Sequence, residues 1–242
     1  MGACTPAAPP APAPADVPAA PAAPAVDAAA PGVAVAPAEA PARGERAMVA
    51  SAHVLATQVG DDILRRGGNA VDAAIATGFA LAVTYPRAGN IGGGGFMVIR
   101  HPDGTATTFD FREKAPLAAH PEMWLDEDGE YDRDRHHLSH MAVGVPGTVA
   151  GFAKAHERFG TLPWADLVEP AVRLARDGFE VTEGLASSLE RVLDEMDAYP
   201  ASRAAFSKDG EPYEPGDLLR QPDLARTLER IRDHGREGFY AG

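Results

Sequence analysis

From residue 54 onward the apolar positions fall into a helical period. Val54, Leu55, Val59, Ile63 and Leu64 recur at a helical spacing, and the segment stops at Gly67–Gly68. A second helix restarts at once over "NAVDAAIATGFALAVTYP". Asn69 is placed to cap it, and Asp72 stands three residues on, near the positive end of the helix dipole. Ala73, Ala74, Ile75, Phe79, Leu81 and Val83 make this segment apolar nearly all round, which predicts a buried helix. Its many Ala and Gly residues predict that another element packs very close to it. The period then changes to two. Phe96-Met97-Val98-Ile99 reads as a buried strand, Asp103–Gly104 as a hairpin turn and "TATTFDFRE" as a partner strand. In that partner Thr108, Asp110 and Arg112 share one face, while Phe109 and Phe111 share the other. The remainder reads as helices, "VPGTVAGFAKAHERFG", "PWADLVEPAVRLARDG", "TEGLASSLERVLDEM" and "QPDLARTLERIRDHGREG", divided by glycine or proline. No internal repeat is evident. The pattern is α+β, with the sheet in the middle of the sequence and helices before and after it.

Composition separates a first segment from this body. Residues 1–45 are almost all Ala and Pro, hold 11 of the 22 prolines of the chain and contain no aromatic, Leu or Ile. Each proline fixes φ and removes a donor, so an extended, partly polyproline II linker is expected. Fully extended it would reach on the order of 100 Å. The one cysteine, Cys4, lies in "MGAC", which resembles the small-small-Cys end of a bacterial lipoprotein signal. Lipid anchoring at Cys4 and export to the periplasm or cell envelope are the expectations that follow. Residues 46–242 form the second, globular unit. A lone cysteine rules out an intrachain disulfide and a Cys-rich metal site. The net charge of −13 argues against nucleic acid and anionic membrane as partners, leaving a membrane contact only through the lipid.

Two features carry candidate chemistry. Gly92 to Gly95 lead into a strand with no lysine beside them, which does not suit a phosphate or dinucleotide loop. Such glycines either permit tight packing or let the backbone come close to a ligand or another catalytic segment, and a run of four favours the latter. Arg112 has two fates open to it. One is an ion pair with Asp110 or Glu113; the other is a two-pronged clamp for a substrate carboxylate, which guanidinium geometry suits better than ammonium. His136, His137 and His140 lack a convincing further ligand and read as loop, and "DEDGEYDRD" fails calcium-loop spacing, so no metal is expected. No Gly-x-Ser-x-Gly elbow is present.

These segments together resemble the gamma-glutamyltransferase (gamma-glutamyltranspeptidase) family. The resemblance runs from about Met48 to the end of the chain. It rests on "MVASAHVLATQVGDDILRRGGNAVDAAIATGFALAVTYPRAGNIGGGGFMVIR", "DFREKAP", "SHMAVGVPGTVAGF" and "EPAVRLARDGF". It implies an N-terminal-nucleophile hydrolase with an αββα sandwich, of which this chain encodes part. It further implies a precursor that cuts itself into large and small subunits, with a new N-terminal threonine on the small subunit. That threonine attacks gamma-glutamyl amides such as glutathione and passes the acyl group to water, an amino acid or a peptide. A terminal threonine carries its own base in its free amine.

On this resemblance Arg112 is the arginine that holds the α-carboxylate of the donor, Glu113 supports it, and Gly92 to Gly95 pack near the catalytic centre. The sequence ends at "REGFYAG", before the place of the threonine motif, and Thr107 and Thr108 lie inside a strand. No catalytic residue is therefore expected among these 242 residues, and the chain alone is expected to be inactive with apolar surface exposed. No cofactor is implied. The expected partners are the gamma-glutamyl substrate, its acceptor and the small subunit. Two alternatives share the scaffold: a glutaryl-cephalosporin acylase, whose donor also ends in a carboxylate, and a non-catalytic lipoprotein that binds acidic peptides.

Overall fold

A computed structural model of the chain describes residues 42–241. Cys4 and nearly all of the Ala/Pro segment expected over residues 1–45 lie outside them. In chain order the elements are α1 (Val54–Arg65), α2 (Ala70–Thr84), β1 (Phe96–Arg100), β2 (Ala106–Asp110), α3 (Arg133–His137), α4 (Thr148–Phe159), α5 (Trp164–Asp177), β3 (Phe179–Glu180), α6 (Glu183–Leu193), α7 (Pro200–Phe206), β4 (Leu218–Leu219), α8 (Pro222–His234) and α9 (Glu237–Tyr240), with short 3-10 turns at His140–Ala142 and Asp194–Ala198. The class is α+β.

The fold is built around α2. Asn69 caps it, its side-chain oxygen accepting from the amides of Val71 and Asp72, while the Asp72 carboxylate accepts from the Asn69 amide at 2.9 Å. Asp72 is completely buried and also accepts from the Thr161 amide at 3.0 Å, which ties the start of α2 to the loop between α4 and α5. The Asn69 amide group donates to the Phe159 carbonyl at 2.6 Å and reinforces the same junction. The small residues do what their pattern predicts. A Cβ on Gly60 of α1 would stand 2.3 Å from Thr77 Oγ1 of α2, and one on Gly78 would stand 2.5 Å from the Phe152 ring of α4. Phe79 meets Phe152 and Trp164 edge-on at 5.2 and 5.5 Å. Buried Gln221 donates to the Val83 carbonyl at 2.9 Å and satisfies the far end of α2.

β1 and β2 form the expected antiparallel hairpin, with Phe96 opposite Asp110 and Arg100 opposite Ala106, and Gly104 at φ +88 in its turn. The alternation of β2 is as expected: Phe109 is buried, and Thr108 and Asp110 are exposed. The expectation of a buried β1 needs correction. Met97 and Ile99 pack on the core, but Phe96 and Val98 are 61% and 73% exposed. The sheet has two strands, and among the described residues helices cover one of its faces. β3 and β4 form a second, two-residue pairing that the sequence pattern did not announce. The histidine stretch read as loop is partly helical, because Asp132 caps α3 by accepting from the Arg135 amide at 2.9 Å. Among the described residues no helix is long and apolar enough to cross a membrane.

Candidate functional site

Beyond β2 the segment Phe111–Lys114 is wedged between the glycine run and the start of α4. The Phe111 amide donates to the Gly95 carbonyl at 3.0 Å. A Cβ on Gly94 would lie 2.5 Å from the Phe111 carbonyl oxygen and 2.8 Å from Arg112 Cα, and one on Gly147 would lie 2.0 Å from that same oxygen. Neither position admits a side chain without moving backbone. The Gly93 carbonyl accepts from the amides of Gly147 and Thr148 at 2.7 and 3.1 Å. Asn90 Oδ1 accepts from the Gly93 amide at 3.0 Å and from Thr148 Oγ1 at 2.7 Å. Lys114 and Val145 exchange backbone bonds at 3.1 and 2.8 Å. Arg112 therefore projects from backbone held on two sides.

It projects into a cleft of about 710 Å³ lined by Gly92, Arg112, Glu113, Lys114, Trp124 and Met141, among others. A Cβ on Gly92 would meet nothing within 4 Å, so this glycine faces open space, in contrast to Gly94. The Arg112 side chain is 63% exposed, and its Nε donates to Glu113 Oε2 at 2.8 Å. The Asp110 carboxylate accepts instead from the Arg112 backbone amide at 3.0 Å. The ion pair that the sequence offered as one fate of Arg112 is thus present, with Glu113 as partner. It occupies Nε, and among the described residues the two terminal nitrogens of the guanidinium have no hydrogen-bond partner. They are the prongs a carboxylate takes up in a bidentate pair. The hydrogen bond to Glu113 raises the Arg112 pKa further, so the cation is permanent. The same bond, followed by the backbone amides of Glu113 and Gly94, holds the Glu113 carboxyl below its ordinary range.

Two of the three histidines share one partner. Tyr131 Oη stands 2.7 Å from His136 Nδ1 and 3.1 Å from His137 Nε2, and the His136 ring stacks on Trp124 at 4.5 Å. His140 packs against Tyr199 instead. Among the described residues no three His, Cys, Asp or Glu side chains come together as a metal site. The acidic stretch is a turn: Asp126 Oδ1 accepts the amides of Asp128 and Glu130, both at 2.9 Å. Asn90, Lys114, Trp124, Met141 and Gly147 were not singled out from the sequence. Asn90 carried a signal, since an Asn before a glycine run is an apt acceptor for turn amides; Lys114 and Trp124 carried none.

The sequence profile of the family described as Gamma-glutamyltranspeptidase matches residues 56–242. The chain is 51% identical over 203 residues to a glutathione hydrolase proenzyme of Escherichia coli (strain K12), covering 84% of this chain and 35% of that protein. It superposes on the crystal structure of Helicobacter pylori gamma-glutamyltranspeptidase with a TM-score of 0.81 at 42% identity, covering 84% of this chain and 58% of that one. A cephalosporin acylase from Bacillus halodurans is similar with a TM-score of 0.70 at 29% identity, over 87% of this chain and 41% of that one. The chain spans about a third of the length of the curated relatives it matches.

Proposed function

The chain belongs to the gamma-glutamyltranspeptidase family, and from that membership we propose that it supplies the donor-binding part of an enzyme that hydrolyses or transfers gamma-glutamyl groups. The observation that carries this reading is Arg112, set on closely packed, hydrogen-bonded backbone at the edge of a cleft, its two terminal nitrogens without a hydrogen-bond partner among the described residues. A gamma-glutamyl donor presents an α-carboxylate several bonds from its scissile amide. Bidentate capture of that carboxylate fixes the amide carbonyl at a set distance from the arginine, which is what a nucleophile in a fixed position requires. Glu113 serves by holding Nε, which leaves the two terminal nitrogens for a carboxylate. Gly92 leaves room for the donor beside it.

The attacking group of this reading is an N-terminal threonine, freed by self-cleavage of a precursor and contributed by the part of the family fold beyond the third that this chain spans. Glutathione as donor, and water, an amino acid or a peptide as acceptor, belong to the same reading. The names of the relatives support it: that of Escherichia coli is a glutathione hydrolase proenzyme. The test is expression of the full reading frame. Mass spectrometry is expected to find two fragments with threonine at the new end, and the preparation is expected to release nitroaniline from L-gamma-glutamyl-4-nitroanilide. An unprocessed, inert product would refute the reading.

The likeness to the cephalosporin acylase supports a second donor class. A glutaryl group offers Arg112 the same terminal carboxylate without the amine, so parallel assays with glutaryl and gamma-glutamyl anilides decide between them. Export with lipid attached at Cys4 is a further proposal. It rests on the "MGAC" start and the lone thiol, and Cys4→Ser is expected to abolish incorporation of labelled fatty acid and release the protein from the membrane fraction.

A further inference from the structure

We propose that Lys114 reads a second carboxylate, the C-terminal one of a peptide that occupies the cleft together with the Arg112-bound group. The inference rests on the gamma-glutamyl reading above. The cationic balance of the cleft leads to it. Glu113 already neutralises the charge of Arg112 through the 2.8 Å pair, so Arg112 plus Glu113 present oriented donors with little net charge. Lys114 lines the same cleft, and among the described residues its ammonium makes no hydrogen bond or ion pair. It is the cation left over.

Its placement is not accidental to the backbone. The two hydrogen bonds exchanged with Val145 pin the backbone at Lys114, and residues 112 and 114 both line the cleft. Two residues apart, their Cα atoms are separated by at most about 7 Å. An extended tripeptide measures about 10 Å from end to end, a span that two long side chains cover from those starting points. An arginine with two aligned donors suits the carboxylate whose position sets the reaction. A lysine on a flexible stem suits a carboxylate that only has to be recognised as an anion. The chemical class is therefore a gamma-glutamyl peptide with a free C-terminus. The second carboxylate sits either on the leaving group of the donor or on a peptide acceptor.

The full reading frame is expressed as wild type, Lys114→Met and Lys114→Arg. kcat/KM is measured for glutathione and for its glycyl monoethyl ester, and transfer is measured to glycylglycine and to glycylglycine amide. An exposed ion pair favours the free acid by about three- to fivefold in the wild type. Lys114→Met is expected to bring the acid-to-ester ratio close to one, and Lys114→Arg to keep it. A lost ratio in the first pair places the carboxylate on the leaving group; a lost ratio in the second places it on the acceptor. If Lys114→Met keeps both ratios at their wild-type values while the enzyme cleaves gamma-glutamyl amides normally, the assignment of Lys114 fails and the functional reading stands. A wild type inert to every gamma-glutamyl amide overturns both.

Discussion

At Arg112 a guanidinium and a carboxylate one residue apart share a single hydrogen bond, which raises the pKa of the arginine and lowers that of the acid. Glu113 is held below the ordinary carboxylate range chiefly by Arg112, so the pair is intact at neutral pH and comes apart only as pH falls through that lowered value. In Arg112→Ala the titration of the Glu113 carboxyl, followed by carbon NMR, is expected to return upward toward about 4.3. An unchanged midpoint would mean that the pairing is not made in solution. The glycines next to it are a matter of space. Gly147→Ala puts a methyl group 2.0 Å from the Phe111 carbonyl oxygen and is expected to cost about 1–3 kcal/mol in denaturant unfolding, whereas Gly92→Ala, which meets nothing, is expected to cost under about 1 kcal/mol. Arg112 was legible as a candidate because its type and its strand face are local properties. Which acid it pairs with was not, since Asp110 is diverted to a backbone amide and only the folded turn shows that.

The helix ends carry the clearest signals in the sequence and the most exposed tests. Asn69→Ala removes both the cap of α2 and the bond to the Phe159 carbonyl, and is expected to lower stability by about 1–2 kcal/mol in urea unfolding. His53 caps α1 in a different way, its buried ring accepting from the Leu55 amide at 3.3 Å through Nδ1. Burial holds its pKa below that of an ordinary histidine. The unfolded chain therefore takes up the proton first, and stability declines as pH falls below about 6.5, levelling once the folded-state value is passed. His53→Asn keeps an acceptor at the cap and is expected to flatten this decline between pH 7 and 5, with melting temperature as the readout. Equal slopes in both proteins would remove His53 from the account. The cap at Asn69 was readable because it is a short, local pattern. The strands β3 and β4 were not, since two residues carry no period and their pairing joins segments about 40 positions apart.

For the molecule as a whole, the helices of the core followed from their apolar stripes, and the hairpin from its alternation and turn. What the pattern could not give was the second face of β1. Four apolar residues in a row read as buried on both sides, yet Phe96 and Val98 stand open on the sheet that carries the segment to Arg112. The chain expressed by itself is expected to bind an apolar dye and self-associate, and Phe96→Thr combined with Val98→Thr is expected to reduce both. Dye binding indifferent to that pair would locate the sticky surface elsewhere. The central claim is narrower: the terminal nitrogens of Arg112 hold the α-carboxylate of the donor. Its most direct test compares L-gamma-glutamyl-4-nitroanilide with the 4-aminobutyryl anilide, which lacks that carboxylate, as substrates of the wild type and of Arg112→Ala from the full reading frame. Loss of the carboxylate is predicted to lower kcat/KM about 10- to 100-fold in the wild type and hardly at all in the variant. An equal penalty in both proteins would contradict the claim.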